Sequence, residues 1–193
     1  YKANRGAMPE DLRPQVGRVR QLIDALNIPI EEHEGFEADD VIGSIARISR
    51  ERGDVQVLIV TGDSDLLQLV DENTRVVLPG TQRFGDLRYY DIDAVRSRFG
   101  FDPPFVADYK ALVGDKSDNI PGVAGIGEKT AKALIAEYGD IEAILASVDE
   151  ITPTRARNAL AAGVDSARQS KWLATIVRDI PIKIDLDHSH VGN

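Results

Sequence analysis

The sequence predicts an α/β fold, with a mainly parallel sheet flanked by helices and followed by a helical subdomain. In the first half, β-branched runs alternate with stretches whose apolar residues recur at helical spacing. In the second half only the helical spacing remains. The chain has 193 residues, of which 42% are hydrophobic, so it can bury a core in one domain, with or without a small appendage.

Two long helices are predicted in the first half. Apolar residues recur every three or four positions over 9–27 and over Ala38–Arg52, with a short extended piece over 28–32 between them. Pro14 is tolerated only near a helix start, so the first helix is best defined beyond this position. Gly53 marks the end of the second helix.

Two strands with a short helix between them are predicted next. The β-branched run 55–61 is typical of a buried parallel strand, and a second strand is predicted over 74–78. The short helix spans 66–70. In such an α/β layer the functional groups gather at the carboxyl ends of the strands.

Helices alone are predicted beyond Asp91. Their predicted ranges are Ile92–Phe99, 105–112, 127–138, Ile141–Ala146, 152–162 and 166–176. The lone Trp172, beside Leu173 and Ile176, is interpreted as a core anchor. The tail 185–193 is too polar to pack alone.

Cysteine content and hydropathy argue against a disulfide-stabilised protein and against a membrane-spanning one. Without cysteine there is neither a disulfide framework nor a thiolate metal site, so any metal must bind oxygen or imidazole. No apolar run is long enough to span a bilayer and no signal peptide opens the chain, which predicts a soluble, cytoplasmic protein with no membrane partner. Because the first residue is Tyr1 and not methionine, we expect the natural start to lie upstream.

Acidic residues occur in three short clusters: Glu37, Asp39 and Asp40; Asp63 and Asp65; Asp115 and Asp118. Each cluster alone has an ordinary alternative, because acids suit a first helical turn, Asp63 could cap the next helix, and a polar turn explains the third cluster. Setting these seven charges aside takes the formal net charge from −9 to −2. The total charge therefore does not exclude a nucleic-acid partner, although phosphate binding usually leaves a basic footprint.

Taken together, the clusters predict a site for divalent cations. Seven carboxylates that converge would repel one another unless cations lie between them. Oxygen ligands favour hard ions, and magnesium keeps several waters, so many acids can serve few ions. Two such ions about 4 Å apart would polarise a phosphodiester and generate hydroxide. Phosphodiester hydrolysis is the chemistry that such a site favours.

A glycine-punctuated segment, 122–131, leads into a predicted helix. Its glycines let the backbone approach a phosphate closely, and amides at the helix start can donate to it without reading sequence. Lys129 and Lys132 add positive charge. A purely structural helix-turn-helix is the alternative.

Other residues receive ordinary interpretations at this point. The basic start with Lys2 and Arg5 is by default a solvated stretch. His33 is interpreted as a strand-edge residue, and His188 and His190 as solvated residues without a role.

These residues closely resemble the 5′ nuclease domain of bacterial DNA polymerase I, within the flap endonuclease superfamily. The resemblance is nearly chain-wide and runs in order through 1–5, 37–40, 61–66, 108–112 and 114–131. It implies a PIN-like core over 1–113 and, over 114–193, a helix-three-turn-helix and C-terminal helical region.

The resemblance also implies roles for single residues. The seven acids would be the shared ligands of two or three Mg²⁺ or Mn²⁺ ions. Lys2 and Arg5 would grip the scissile phosphate, and Tyr1 would stack on the terminal base. The duplex would be held, with a potassium ion at the hairpin, by Gly122, Val123, Gly125, Ile126, Gly127, Lys129, Thr130 and Lys132.

The implied function is a structure-specific 5′-3′ exonuclease or flap endonuclease of primer removal and repair. It would act, as a monomer in the bacterial nucleoid, on DNA with a 5′ flap, a nick or a single-stranded 5′ end, and a polymerase domain would be covalently linked. The family pattern begins with two further aspartates that this sequence lacks, so we expect the chain to bind DNA but cleave it weakly. Two other functions stay open: a non-catalytic duplex-binding module with a vestigial metal site, and a protein-interaction domain.

Overall fold

A small sheet lies in the first half of the chain and helices form the second half. The computed structural model describes residues 2–3, 6, 8–80, 85–187 and 189. The α-helices are α1 Arg13–Ala25, α2 Ala38–Arg52, α3 Ile92–Phe99, α4 Val106–Val113, α5 Glu128–Tyr138, α6 Ile141–Ala146, α7 Thr154–Ala162 and α8 Val164–Ala174. The strands are β1 Val57–Val60, β2 Thr74–Pro79 and β3 Leu87–Tyr90, and 3₁₀ helices span Ser64–Leu69, Pro103–Phe105 and Val148–Glu150.

The sheet has the order β1-β2-β3. Strands β1 and β2 pair in parallel, with Val57 opposite Thr74, which confirms the predicted parallel arrangement. Strand β3 was not predicted, and it adds antiparallel to β2 with Tyr90 opposite Val76. Only Tyr90 of its four residues is buried, so β3 carries almost none of the apolar pattern that identifies a strand.

The prediction that the first strand is buried was wrong. Ile59 faces the core, but Leu58 is 55% exposed and Val60 is 71% exposed. Within the described residues β1 lies at the edge of the sheet, and its alternate residues Leu58 and Val60 are exposed on one face. A β-branched run of this length has the same composition in either setting.

Helix α2 forms where it was predicted, because both of its ends carry strong signals. A capping box joins Glu37 and Asp40 at the start, and Gly53 ends the helix with φ of +83°. Helix α1 is shorter than predicted and has no buried residue, so its apolar stripe faces outward. The range 28–32 forms no strand.

One apolar core joins the sheet to the helical half. The buried Leu66 beside the sheet belongs to the same cluster as Leu112 of α4, Ile144 of α6 and Leu160 of α7. The first half therefore packs directly on the helical half, and the division at residue 113 stays a prediction.

Trp172 was predicted to be a core anchor, and this was wrong, because the residue is 78% exposed. Helix α8 spans Val164–Ala174 and packs against α4 through small buried residues, Ala167, Ser170 and Ala174. Small residues bring the two helices close together, and Trp172 lies on the other side of the helix.

Candidate active site

The three acidic clusters meet at one cleft of about 460 Å³. One wall carries acids from all three clusters, and the other is the end of α8 with the segment after it. The lining residues are Glu37, Asp39, Asp40, Asp65 and Asp118 on the first wall and Trp172, Leu173, Ala174, Thr175, Ile176 and Val177 on the second. The convergence that the sequence predicted is therefore present for acids from each cluster.

Asp63 and Asp65 follow β1, at the carboxyl end of this strand. The Asp63 N–H donates to Thr61 Oγ1 at 3.0 Å, and the Asp65 N–H donates to Asp63 Oδ1 at 2.9 Å. Asp63 thus caps the 3₁₀ helix, as the alternative interpretation expected, and the same bond directs the buried Asp65 toward the cleft.

The acids of the first cluster differ in their hydrogen bonding. Asp40 accepts two backbone N–H bonds, from Glu37 at 3.1 Å and from Val177 at 2.9 Å. Asp39 lies half-buried beside them. Burial raises the pKa of Asp39, and the negative charges of Asp63, Glu37 and Asp40 raise it further, against the lowering effect of Lys2.

Two lysines supply positive charge at this site. The Lys110 ammonium lies between Asp65, which accepts a hydrogen bond from it, and Asp115, whose Oδ2 accepts at 2.5 Å. The Lys2 ammonium donates to Glu37, and the Lys2 N–H donates to the Asp118 carbonyl at 2.8 Å. No role was assigned to Lys110 from the sequence. The available signal was its place on α4, about one helical turn before Asp115.

The two carboxylates that share Lys110 differ in pKa. Burial raises the pKa of Asp65 to about 6, although Lys110 opposes this, and the nearby Asp63 adds to it. Asp115 is also penalised by burial, but hydrogen bonds from Lys110 and Ser117 lower its pKa to about 2. Asp115 therefore stays ionised down to low pH, whereas Asp65 takes up a proton when the pH falls to about 6.

In the part of the chain that the structure describes, no group of three or more acidic or imidazole side chains is arranged to hold one metal ion. The donor chemistry nevertheless fits a hard cation. Burial raises the pKa values of Asp39 and Asp65, neighbouring carboxylates add to the rise, and an ammonium group already stands between two of the carboxylates.

The predicted duplex-binding hairpin is built by close backbone contact. Gly114 and Gly122 have φ of +74° and +64°, and a Cβ on Gly122 would lie 2.3 Å from the Gly114 nitrogen. The Gly122 N–H donates to Ser170 Oγ at 3.0 Å, and the Val123 N–H donates to the Leu112 carbonyl at 2.8 Å. These two amides therefore hold the hairpin on the helices around it.

The outward part of the hairpin is the turn and the start of α5. Gly125, Gly127 and Lys129 are exposed, whereas Ile126 is buried and Thr130 is half-buried. The other predicted lysine, Lys132, donates to the Arg98 carbonyl at 3.2 Å and lies 5.7 Å from the Phe99 ring centroid. Lys132 is therefore tied to α3, and Lys129 is the more accessible of the two.

The remaining sequence interpretations have mixed outcomes. Tyr1 and Arg5 lie outside the described residues, and so do His188 and His190. The prediction that His33 lies at a strand edge was wrong, because it lies in a loop with its ring 5.4 Å from that of Phe36.

Gln68 fastens the two walls of the cleft together, a role that the sequence did not indicate. Its amide group donates to the carbonyls of Asp65 and Ala174, both at 3.0 Å, and accepts from the Ile176 N–H at 3.0 Å. On α2, Ser44 Oγ accepts from the Ile180 N–H at 3.2 Å, and further along the helix an arginine reaches the same segment.

No helix among the described residues is long and apolar enough to cross a membrane.

Comparison with known proteins places the chain in a family. The profile for "5′-3′ exonuclease, N-terminal resolvase-like domain" matches residues 1–100, and the profile for "5′-3′ exonuclease, C-terminal SAM fold" matches residues 101–193. DNA polymerase I of Chloroflexus aurantiacus is 47% identical over 196 residues, covering 100% of this chain and 20% of that protein. DNA polymerase I of Caldicellulosiruptor bescii is 47% identical over 190 residues, covering 97% and 22%. The chain spans about a fifth of the length of these curated relatives.

Solved structures share the fold. The T5 5′-exonuclease with bound zinc superposes with a TM-score of 0.68 at 23% identity, covering 88% of this chain and 63% of that chain. The catalytic core of Rad2 in complex with a DNA substrate gives a TM-score of 0.53 at 17% identity, covering 94% and 52%. The sequence matches show more than a shared fold, since the two profiles together, and the polymerase relatives, match this chain along its whole length. This chain belongs to the 5′-3′ exonuclease family, and the curated relatives named above match it with one region of a bacterial DNA polymerase I.

Proposed function

We propose that this chain hydrolyses phosphodiester bonds at or near the 5′ ends of DNA, as a metal-dependent 5′-3′ exonuclease and flap endonuclease of primer removal and repair. The observation that carries the proposal is that acids from three separate elements line one cleft in a member of the 5′-3′ exonuclease family. The supporting charge pattern lies in the same place, because Lys2 and Lys110 pair with these acids.

The acids would hold two or three Mg²⁺ or Mn²⁺ ions. Asp39, Asp65 and Asp118 line the cleft, Asp63 lies against Asp39 and Asp65, and Asp115 is joined to Asp65 through Lys110. When bound, such ions polarise the phosphodiester and activate water for attack. The T5 D15 flap endonuclease, which shares the fold with a TM-score of 0.70, has been solved with DNA and metal ions.

The lysines would change partners when cations and DNA arrive. Asp65 and Asp115, which now share the Lys110 ammonium, would be ligands for a cation, and Lys110 would then be available to bind a phosphate of the substrate. Lys2 is placed for a similar role, because its ammonium is at Glu37 and its backbone is bonded to the Asp118 carbonyl. Arg5 is assigned to the same phosphate by resemblance alone.

The hairpin would hold the duplex part of the substrate through its backbone. Gly125, Gly127 and Lys129 face outward, so their amides and the lysine can reach phosphate oxygens without reading base sequence. A potassium ion at the hairpin belongs to the same proposal. The partner DNA would carry a 5′ flap, a nick or a single-stranded 5′ end, and the length of the relatives supports a covalently linked polymerase region.

The test is cleavage of a 5′-flap duplex in Mg²⁺, by the chain as printed and by variants of it. We expect slow cleavage that a chelator abolishes, and a further loss of at least about 100-fold for Asp63→Asn and Asp115→Asn. Asp93→Asn is the matched control, because this acid lies on α3, 89% exposed, and outside the cleft. Cleavage that survives the chelator, or an equal loss in the control variant, would refute the metal site.

A non-catalytic duplex-binding module is the second candidate. It is favoured by the observation that the described residues present no ready-made group for an ion. It predicts DNA binding that a chelator does not change, no cleavage in Mg²⁺ or Mn²⁺, and no rise in melting temperature when these ions are added.

A further inference from the structure

Trp172 stands at the mouth of the acid cleft with most of its indole in solvent. It is the only tryptophan of the chain and it is 78% exposed, although a buried tryptophan would contribute far more to stability. A single exposed apolar residue is ordinary on a protein surface. This one is distinguished by its position, since it lines the same cleft as carboxylates from all three acidic clusters.

The neighbours of Trp172 hold it in this position. Ser170 is fully buried and its Oγ accepts from the Gly122 N–H at 3.0 Å. Lys171 donates to Oδ2 of the buried Asp108 at 2.6 Å, and Ala174 is buried against α4. Because α8 is fixed on both sides of residue 172, the indole cannot turn inward without breaking these contacts.

The two walls of the cleft differ in chemistry. The wall around Trp172 is uncharged, with Leu173, Ile176 and Val177 beside the indole, and Val177 is 38% exposed. The opposite wall carries the carboxylates. A ligand that suits both walls needs a flat, neutral, apolar face on one side and, on the other, a group that cations can bridge to carboxylates.

We propose that Trp172 is a stacking platform for the base of an unpaired nucleotide of the 5′ strand, whose phosphate lies at the acid wall. This proposal rests on the proposed function. A nucleotide has both required parts, a neutral aromatic base and an anionic phosphate. Stacking on an indole accepts all four bases, so the contact favours single-stranded over paired DNA without sequence preference.

Because Trp172 is the only tryptophan, its fluorescence reports on the contact directly. The probe is a 5′-flap duplex with phosphorothioate linkages that resist hydrolysis, added in Mg²⁺. We expect quenching that saturates with binding. A matched flap with abasic sugars in place of its bases keeps the phosphates, and it should bind with little quenching. Absence of quenching by the normal flap, or equal quenching by the abasic flap, would overturn the proposal.

The affinity test uses Trp172→Ala, Trp172→Phe and Tyr89→Ala. Tyr89 is the control, an aromatic residue 64% exposed on β3 that does not line the cleft. For the flap substrate we expect Trp172→Ala to weaken binding about 5- to 100-fold, Trp172→Phe to keep most of the affinity, and Tyr89→Ala to bind normally. For a blunt duplex all three should bind like the unmodified protein.

The outcomes separate this proposal from the one it rests on. If Trp172→Ala keeps full affinity for the flap while cleavage still depends on Mg²⁺, the stacking role is wrong and the nuclease assignment stands. If the unmodified protein neither binds nor cleaves the flap, both are wrong. An indole that DNA leaves unchanged, but that becomes buried in a longer polypeptide, would show that a protein segment covers this wall.

Discussion

Asp65 shows how neighbouring residues decide the state of one carboxyl group. Its side chain is only 12% exposed and pairs with Lys110. Burial has the larger effect on its pKa, which rises to about 6 from a model-compound value of 3.8. Since the folded protein binds this proton more tightly than the unfolded chain does, ionised Asp65 lowers stability at neutral pH. The stabilising contribution is complete below pH about 4 and is lost as the pH rises through about 6.

Asp65→Asn should therefore stabilise the metal-free protein at pH 7.5, by about 2 kcal/mol. The advantage should shrink as the pH falls to 4, where Asp65 itself is protonated. Urea unfolding in a chelator at several pH values measures this difference. A variant less stable than the parent protein at pH 7.5 would show that the ion pair with Lys110 outweighs the cost of burial.

At the residue scale the sequence was informative about groups that repeat in short clusters, and less so about single residues. The acids were found because three clusters share one chemistry. Lys110 and Gln68 were missed because each bonds to a residue far along the chain, Asp65 for Lys110 and Ala174, 106 positions away, for Gln68. Trp172 was misassigned because composition does not show which side of a helix receives the small residues that pack.

At the scale of elements, the junction between α4 and the hairpin depends on two glycines. Gly114 and Gly122 both have positive φ, and their backbones lie too close for a side chain. A methyl group on Gly122 would meet backbone atoms, which cannot move aside as a flexible side chain can.

Gly122→Ala should consequently lower the free energy of unfolding by about 3 kcal/mol or more. Gly53→Ala is the matched control, because Gly53 has φ of +83° with nothing within 4 Å of the added Cβ, and it should cost only about 1 kcal/mol. Denaturant unfolding of both variants gives the comparison. Equal losses would mean that backbone conformation, and not the close approach, makes a glycine necessary at position 122.

The helical elements were largely predictable, and the sheet was less so. Helices α2, α3 and α6 form over the predicted ranges, since caps and apolar spacing coincide in these segments. Strand β3 is held by pairing with β2 and not by its own pattern, so its residues gave no signal. The apolar stripe of α1 correctly predicted a helix, but it did not indicate burial.

At the scale of the whole molecule, the net charge of −9 is misleading because charge is distributed unevenly. Five of the 32 acids line one cleft, and the exposed Lys129 of the hairpin does not line it. Binding to a duplex should then be governed by local contacts with phosphates and not by the total charge.

Lys129→Ala should reduce the slope of log affinity against log salt by about one, for duplexes of any sequence. Lys183→Ala is the control, because Lys183 is also exposed but follows α8 and is remote in the chain from the hairpin. Affinity measurements at four salt concentrations are sufficient. An unchanged slope for Lys129→Ala, or an equal change in the control, would remove the hairpin from the duplex contact.

Hydrogen bonds from Gln68 and from side chains of α2 fix the segment after α8, and this limits which ligands the cleft can bind. They join the carboxylate wall and the indole wall into one body, so the spacing between the walls is set when the chain folds. The cleft therefore has a fixed width, which selects ligands by their thickness. We expect a strand that fits between the walls to bind without rearrangement, and a thicker ligand to bind only if these hydrogen bonds break.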